Sequence, residues 1–359
     1  MPLTDLIDDH PLRTGALDGS PLLAAYNGET PSRRPVWFMR QAGRSLPEYR
    51  ETRAGTDMLE ACLTPELAAE ITLQPVRRYG VDAAIFFSDI VVPLKLAGLD
   101  VSIQPGIGPV FEHPIRTMAD VEALPPLDEG FAAALMPIAH AVAATTAQLG
   151  STPLIGFAGA PFTLAAYMAE GRASRDHLGA RRLIAASPDV WAGLAAWVAK
   201  VSGIFLRTQV LAGASAVQLF DSWAGSLDAE DYRRACLVPS TQVFDLVDDL
   251  PVPRIHFAAN GSHLLEIMDA AGGDVMGVDY RLPLDEASAI LDDEVPLQGN
   301  IDPAYLAAPW EVLRAHVDDV LRRGSQAPGH VVNLGHGVPP DTDPDVLQRI
   351  VEHVHAYSE

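Results

Sequence analysis

Eight short apolar runs punctuate the chain, at residues 36–39, 84–87, 154–157, 216–220, 254–257, 275–278, 295–298 and 330–334. Most are rich in Val, Ile, Leu and Phe over four or five consecutive positions, the pattern of strands buried on both faces rather than of half-exposed, alternating ones. Longer helical segments lie between most of them, with candidates at 65–79, 131–149, 191–212, 231–249, 263–271 and 309–323. Strand and helix alternating eight times predict an α/β chain folded as a single (β/α)8 TIM-type barrel. Residues 98–113 interrupt the alternation after the second run. VSIQ and PVFEH flank Pro-Gly-Ile-Gly there, which predicts a β-hairpin insertion. Gly106-x-Gly108 within it does not open a helix after a parallel strand, so it is no dinucleotide fingerprint. Residues 1–18 show no periodicity and are expected as a partly mobile arm, leaving 19–359 as the barrel. Ser20-Pro21 has the chemistry of an N-cap and first helical position.

A barrel places its chemistry where strands end, and the residues after these runs are polar. They include Arg40, Asp89, the segment 160–171, Asp221 with Ser222, Asn260, Asp279, Asn300 and His336. In PVWFMRQAGRSLPEYR, Arg40 and Arg44 stand four apart across Gly43, which permits a turn. Two planar guanidinium groups could grip a carboxylate or phosphate, although two surface arginines at a helix start would read the same way. Asp89 follows two phenylalanines in IFFSD, either as a partly desolvated carboxylate or as a helix N-cap. Tyr167 lies on a predicted helix, where packing alone would account for its ring. Ser222 lacks a neighbouring base and suits hydrogen bonding better than nucleophilic attack, with Phe220 as an apolar wall beside it. Trp223 has no evident role. His336, alone among the eleven histidines, stands between two glycines after a barrel strand, where backbone and ring can approach a ligand closely.

Composition narrows the partners. With 48% hydrophobic and 20% charged residues over 359 positions, the chain can bury a large core. Its 47 acidic against 25 basic residues give a formal charge of −22, which disfavours nucleic acid and anionic membranes. An anionic ligand therefore requires locally concentrated arginines. Cys62 and Cys236 supply neither a disulfide framework nor a cysteine-rich metal site. The acidic start MPLTDLIDDHPLRTG lacks the basic flank and apolar run of an export signal, so a cytoplasmic location is expected. The apolar stretch 191–206 contains Lys200 and is short for a bilayer span; it is expected as a core-facing helix.

The motif P-x-W-x-M-R-Q-A-G-R at 35–44 resembles the first signature of the uroporphyrinogen decarboxylases, and GFAGAPFTLAAYMAEG at 156–171 resembles the second. FSDI, LFDSWAG and NLGHGV extend the likeness almost to the C-terminus. The resemblance implies removal of carbon dioxide from the four acetate side chains of uroporphyrinogen III, giving coproporphyrinogen III in tetrapyrrole and haem biosynthesis. It implies no cofactor, no metal and a homodimer. It places the central catalytic carboxylate on Asp89, which would receive pyrrole N–H groups, with Arg40 and Tyr167 as further catalytic residues. Gln41, Ala42, Gly43, Arg44, Arg53, Phe220, Ser222 and His336 join those three as implied substrate-binding residues. A zinc-dependent, cobamide-linked methyltransferase is an alternative of the same fold, but it would need a His-x-Cys pair where this chain has His256 followed by Phe257 and Ala258. A non-catalytic tetrapyrrole-binding protein is the other alternative.

Overall fold

Seven of the eight apolar runs pair as one parallel sheet in the computed structural model, which describes residues 4–357. The strands are β1 (Ala84–Ile85), β4 (Leu154–Gly159), β5 (Ala216–Phe220), β6 (Arg254–Phe257), β7 (Val275–Gly277), β8 (Leu297–Gln298) and β9 (His330–Val331), hydrogen-bonded in that order. The eighth run, 36–39, forms a single parallel bridge between Val36 and Val332. It is bonded on both sides. Trp37 N donates to Val332 O at 3.2 Å and Asp82 N to Val36 O at 2.9 Å, so the segment closes the sheet into a barrel between β9 and β1. Its ladder is short because side chains replace the next bonds: Phe38 N donates to Gln41 Oε1 (3.0 Å) and Met39 N to Asn333 Oδ1 (2.9 Å).

The expected hairpin is β2 (Val101–Gln104) with β3 (Gly108–Phe111), antiparallel, with Val101 opposite Phe111. Inside the barrel a column of polar groups is mutually satisfied, as burial requires. Trp37 Nε1 donates to Tyr26 Oη (3.1 Å), Tyr26 Oη to Gln298 Oε1 (2.5 Å), and Gln298 Nε2 to Gln218 Oε1 (3.1 Å). Buried apolar side chains form one cluster running from Leu22 to Val354.

Two helices depart from their expected spans at prolines. The segment 131–149 divides into Glu129–Ala134 and Met136–Leu149, with Pro137 in the first turn of the second. The segment 231–249 begins as Ala229–Tyr232, widens into a π turn over Arg233–Leu237 and resumes as Val238–Asp245. Pro239 has no N–H to give the carbonyl four residues earlier, and Trp191 Nε1 takes that Ala235 oxygen instead, at 2.9 Å. Pro188–Leu211 packs inward through Trp191, Leu194, Val198 and Leu206, as expected for its central part. It and Glu129–Leu149 are the two stretches among the described residues long and apolar enough to cross a membrane; Met136–Leu149 packs on Pro65–Tyr79.

Of the segment expected as an arm, residues 1–3 lie outside the described residues and the rest is tied to the barrel. Ile7 N donates to Leu211 O (3.0 Å), and the wholly buried His10 meets Val210 O through Nε2 and caps the helix Pro11–Thr14 through Nδ1. Ser20 caps Pro21–Tyr26, its Oγ accepting from Leu23 N.

Asp82 fastens the barrel's closing segment. Its buried carboxylate accepts from Arg33 Nη2 (2.6 Å), Val36 N (2.9 Å) and His355 Nε2 (2.7 Å). Burial pushes its pKa up, yet these donors outweigh burial and hold it below the ordinary carboxylate value. A depressed folded pKa adds stability that is fully present above the unfolded value of about 4 and lost as pH falls through the folded one. Asp82→Asn is expected to cost about 2 kcal/mol, since one donor would face an amide NH2. It should also flatten the acid limb of the Tm-against-pH curve, which differential scanning calorimetry between neutral and acidic pH would record.

Candidate active site

Arg40 leaves the closing segment with φ 61, a left-handed conformation that residues with a Cβ adopt at a cost. Surrounding bonds impose it. Gln41 fixes Phe38 and spans to Ala83 O through Nε2 (3.0 Å), while Val338 N donates to Met39 O (2.9 Å). Gly337 lets the arginine lie down. A Cβ there would come within 2.5 Å of Arg40 Cδ, so the aliphatic stem runs across the glycine of the GHG turn. Gly335, on the other side of His336, is held to glycine by Tyr280 N, which a Cβ would meet at 2.2 Å. The flanking glycines thus admit Arg40 and Tyr280 of the chain itself, where the sequence suggested close approach of a ligand.

Asp89, half-buried beyond β1, accepts from Val91 N through Oδ1 at 3.0 Å. The capping geometry is therefore real, but it occupies one oxygen at the start of the turn leading to Val92–Leu96 and does not describe the whole environment. Burial raises the Asp89 pKa, opposed by the Val91 N–H and by the Arg40 charge. Tyr167 on Pro161–Glu170 is pushed up to about 12 by burial and then by the Asp89 charge, with Arg40 acting in the opposite sense. For His336, burial and then the Arg40 charge lower the pKa, and Asp279 opposes them. Asp89, the helix-borne Tyr167 and His336 thus all feel the charge of Arg40.

Phe220, at the end of β5, meets Phe157 and Phe257 edge-on at 5.6 and 6.1 Å and forms an apolar wall on the barrel's inner side. Ser222 follows, half-buried. Behind the strand, Asp221 is wholly buried and accepts from Thr163 Oγ1 at 2.7 Å; burial raises its pKa to about 7 against that bond. Ala42 and Gly43 are partly exposed on the turn after Arg40. Gly43 adopts no positive φ, and a Cβ there would stand 3.0 Å from Arg40 O. Arg44 is exposed, and its carbonyl is bound by Arg50 Nη1 at 2.6 Å.

Two expected contacts are corrected. Gln41 is wholly buried with both amide ends satisfied by Phe38 N and Ala83 O, so its side chain braces Arg40 instead of reaching a ligand. Arg53 spends its guanidinium locally, on Tyr49 Oη (2.8 Å), Met58 Sδ (3.1 Å) and Thr56 O (3.1 Å), fixing the end of Pro47–Thr52. Asp279, a strand ending with no role assigned from sequence, is buried, paired with Arg281 (2.8 Å) and bonded by Asn260 N (2.8 Å). Asp279 and Asn260 were visible as strand endings; their pairing was not.

A cavity of about 540 Å³ lined by Tyr26, Ser215, Arg254, Asp274 and Pro296 lies where strands begin, the end of a barrel that carries stability rather than chemistry. Among the described residues, no group of three or more His, Cys, Asp or Glu could hold a metal ion. His256 is wholly buried with Nδ1 on Met268 O, and both cysteines are buried.

Fold and site together define a β/α-barrel enzyme in which an arginine, a carboxylate and a histidine beyond the strands meet the electrostatic reach of a helix-borne tyrosine. The chain belongs to the uroporphyrinogen decarboxylase (URO-D) family, whose model matches residues 18–357. It is 63% identical over 344 residues to the uroporphyrinogen decarboxylase of Arthrobacter sp. (strain FB24), covering 96% of this chain and 99% of that one. With the Leifsonia xyli subsp. xyli uroporphyrinogen decarboxylase it shares 58% identity over 375 residues, covering 99% and 100%. Among solved structures, a methyltransferase from Methanosarcina mazei superposes with a TM-score of 0.77 at 18% identity, over 93% of this chain and 97% of that one, a likeness of fold alone.

Proposed function

We infer that this enzyme removes carbon dioxide from the acetate side chains of uroporphyrinogen III, leaving methyl groups and yielding coproporphyrinogen III in tetrapyrrole biosynthesis, with residues 19–359 acting as one catalytic barrel. The observation that carries the reading is the half-buried Asp89 carboxylate beyond β1, held through one oxygen by Val91 N at 3.0 Å, with the Arg40 charge acting on it and both acting on Tyr167. A tetrapyrrole whose bridges are saturated can fold so that its pyrrole N–H groups converge on one carboxylate, which can only accept. Protonation of a ring carbon makes that pyrrole cationic, and the fixed negative charge of Asp89 stabilises the cation as it forms. The carboxylate-to-CH2 bond then breaks. Its electron pair neutralises the ring as an exocyclic methylene and carbon dioxide departs; a proton added to the exocyclic carbon then completes the methyl group as the ring carbon gives its own proton back and the pyrrole is restored.

Arg40 grips a substrate carboxylate; a guanidinium with a pKa above about 12 holds its protons too tightly to be the simplest donor, so water or a substrate carboxyl supplies the proton. Tyr167 and Ser222 give hydrogen bonds to substrate carboxylates, His336 and Arg44 complete the binding rim, Ala42 and Gly43 bring backbone close, and Phe220 walls the ring. The substrate is its own electron sink, so no cofactor or metal enters the reading.

Anaerobic incubation with uroporphyrinogen III, followed by mass analysis, tests it: products lacking one, then successive carbon dioxide units should accumulate, with and without a chelator. Binding without loss of mass would favour the carrier alternative, and turnover restored by zinc alone would favour the methyltransferase alternative. The reading includes a cytoplasmic homodimer with clefts facing the two-fold interface, the commonest closed symmetry. Sedimentation equilibrium should return twice the chain mass; a concentration-independent monomer would exclude the dimer.

A further inference from the structure

Trp223 stands beside Ser222 at the end of β5, and its indole contacts two rings. Tyr167 lies 3.9 Å away, centroid to centroid, with planes 32° apart, and His177 lies 4.2 Å away with planes 19° apart. Two rings at such distances cannot share one face of the indole, so Trp223 is sandwiched between them. The far side of the sandwich rests on the core. His177 is buried, is held at φ 47, and packs edge-on against Phe162, which in turn packs on Trp191. The backbone is pinned as well, because Trp223 N donates to Thr163 Oγ1 (3.1 Å) and that hydroxyl donates to the buried Asp221 carboxylate (2.7 Å). The indole can neither slide nor tilt without breaking these contacts.

We propose that Trp223 is the positioning residue for Tyr167: its stacked indole, clamped by His177 and by the Thr163–Asp221 pair, fixes the phenol so that the hydroxyl meets the substrate carboxylate in the orientation the reaction needs. The inference rests on the proposed role of Tyr167. Half-buried tyrosines otherwise have free play about the ring's attachment, and displacement of a reacting group by about an ångström can cost 10²-fold in rate. The indole works through geometry and never touches the reacting atoms.

The test compares substitutions with and without the phenolic hydroxyl, measuring decarboxylation of uroporphyrinogen III. Trp223→Ala should lower kcat by about tenfold, within that range, with KM changed by less than about threefold. Trp223→Phe, which keeps a flat ring, should recover most of the loss. In a Tyr167→Phe background, Trp223→Ala should cost less than about twofold, because there is no hydroxyl left to position. If Trp223→Ala does not fold by circular dichroism, Trp223→Leu, which keeps bulk without a flat ring, enters the same comparison. Equal losses in both backgrounds, with Tyr167→Phe itself impaired, would make Trp223 merely structural and overturn the inference alone. A Tyr167→Phe enzyme as active as the parent would instead overturn the reading of Tyr167 and the inference with it.

Discussion

Asp89→Asn is expected to lower kcat by about 10²–10³-fold, the scale of losing one preorganised electrostatic group facing developing charge. The substitution is nearly isosteric, and an asparagine oxygen can still accept from Val91 N as Asp89 Oδ1 does now. The turn should therefore hold, and circular dichroism and Tm should stay near the parent. What disappears is the negative charge beneath a protonated pyrrole, and an NH2 group replaces an acceptor against pyrrole N–H donors. Asp89→Glu keeps the charge but moves it by roughly a bond length, enough to cost about 10²-fold by misplacement. The parent's pH profile carries a second signature. Burial raises the Asp89 pKa against the pull of the Val91 N–H and Arg40, so the acid limb of kcat/KM should lie above the ordinary carboxylate range as the required charge is lost. A folded Asp89→Asn enzyme with near-parent turnover would reduce Asp89 to a capping residue.

The barrel was legible because its strands are buried on both faces and so appear as unbroken apolar runs; β5 and β6 coincide with theirs at both ends. Strand length was less legible where side chains take over the ladder. Gln41 and Asn333 bond the backbone of Phe38 and Met39, and no local pattern announces a partner 294 positions away. The expected helix 231–249 runs through Pro239 without a break, and the π turn found there has Trp191 Nε1 donating to the freed Ala235 carbonyl, a tertiary event. At the site, position after an apolar run picked out Arg40, Asp89 and His336 as candidates, while Tyr167, on a helix, entered only through the resemblance. Commitment decided the rest. Gln41 and Arg53 have suitable chemistry and suitable positions, but the Gln41 amide and both terminal nitrogens of Arg53 are already engaged, which sequence does not show. Trp223 was the converse: it had no legible role in LFDSWAG because its partners, Tyr167 and His177, come from other segments.

Arg40→Ala should lower kcat/KM by about 10²-fold, since charge-assisted bonds contribute roughly 1.5–3 kcal/mol and each 1.4 kcal/mol is a factor of ten. The loss should extend beyond affinity. Arg40 opposes the rise in the Asp89 pKa, opposes that of Tyr167 and lowers that of His336, so its removal disturbs three neighbours and should move the acid limb of the Asp89-dependent profile to higher pH. Arg40→Lys separates shape from charge: it should keep the limb near its parent position while still weakening substrate binding, because an ammonium lacks the two-pronged donor. Stability should not fall with activity, as alanine at φ 61 is no more strained than arginine and the exposed side chain buries little. Gly337→Ala supplies the complementary case. A methyl group 2.5 Å from Arg40 Cδ must push the arginine's stem aside without removing its charge. KM should rise severalfold while the acid limb stays in place. An Arg40→Ala enzyme with parent kcat/KM would take the arginine out of the site, and a Gly337→Ala enzyme with unchanged KM would show that the stem's path across the GHG turn is unimportant for binding.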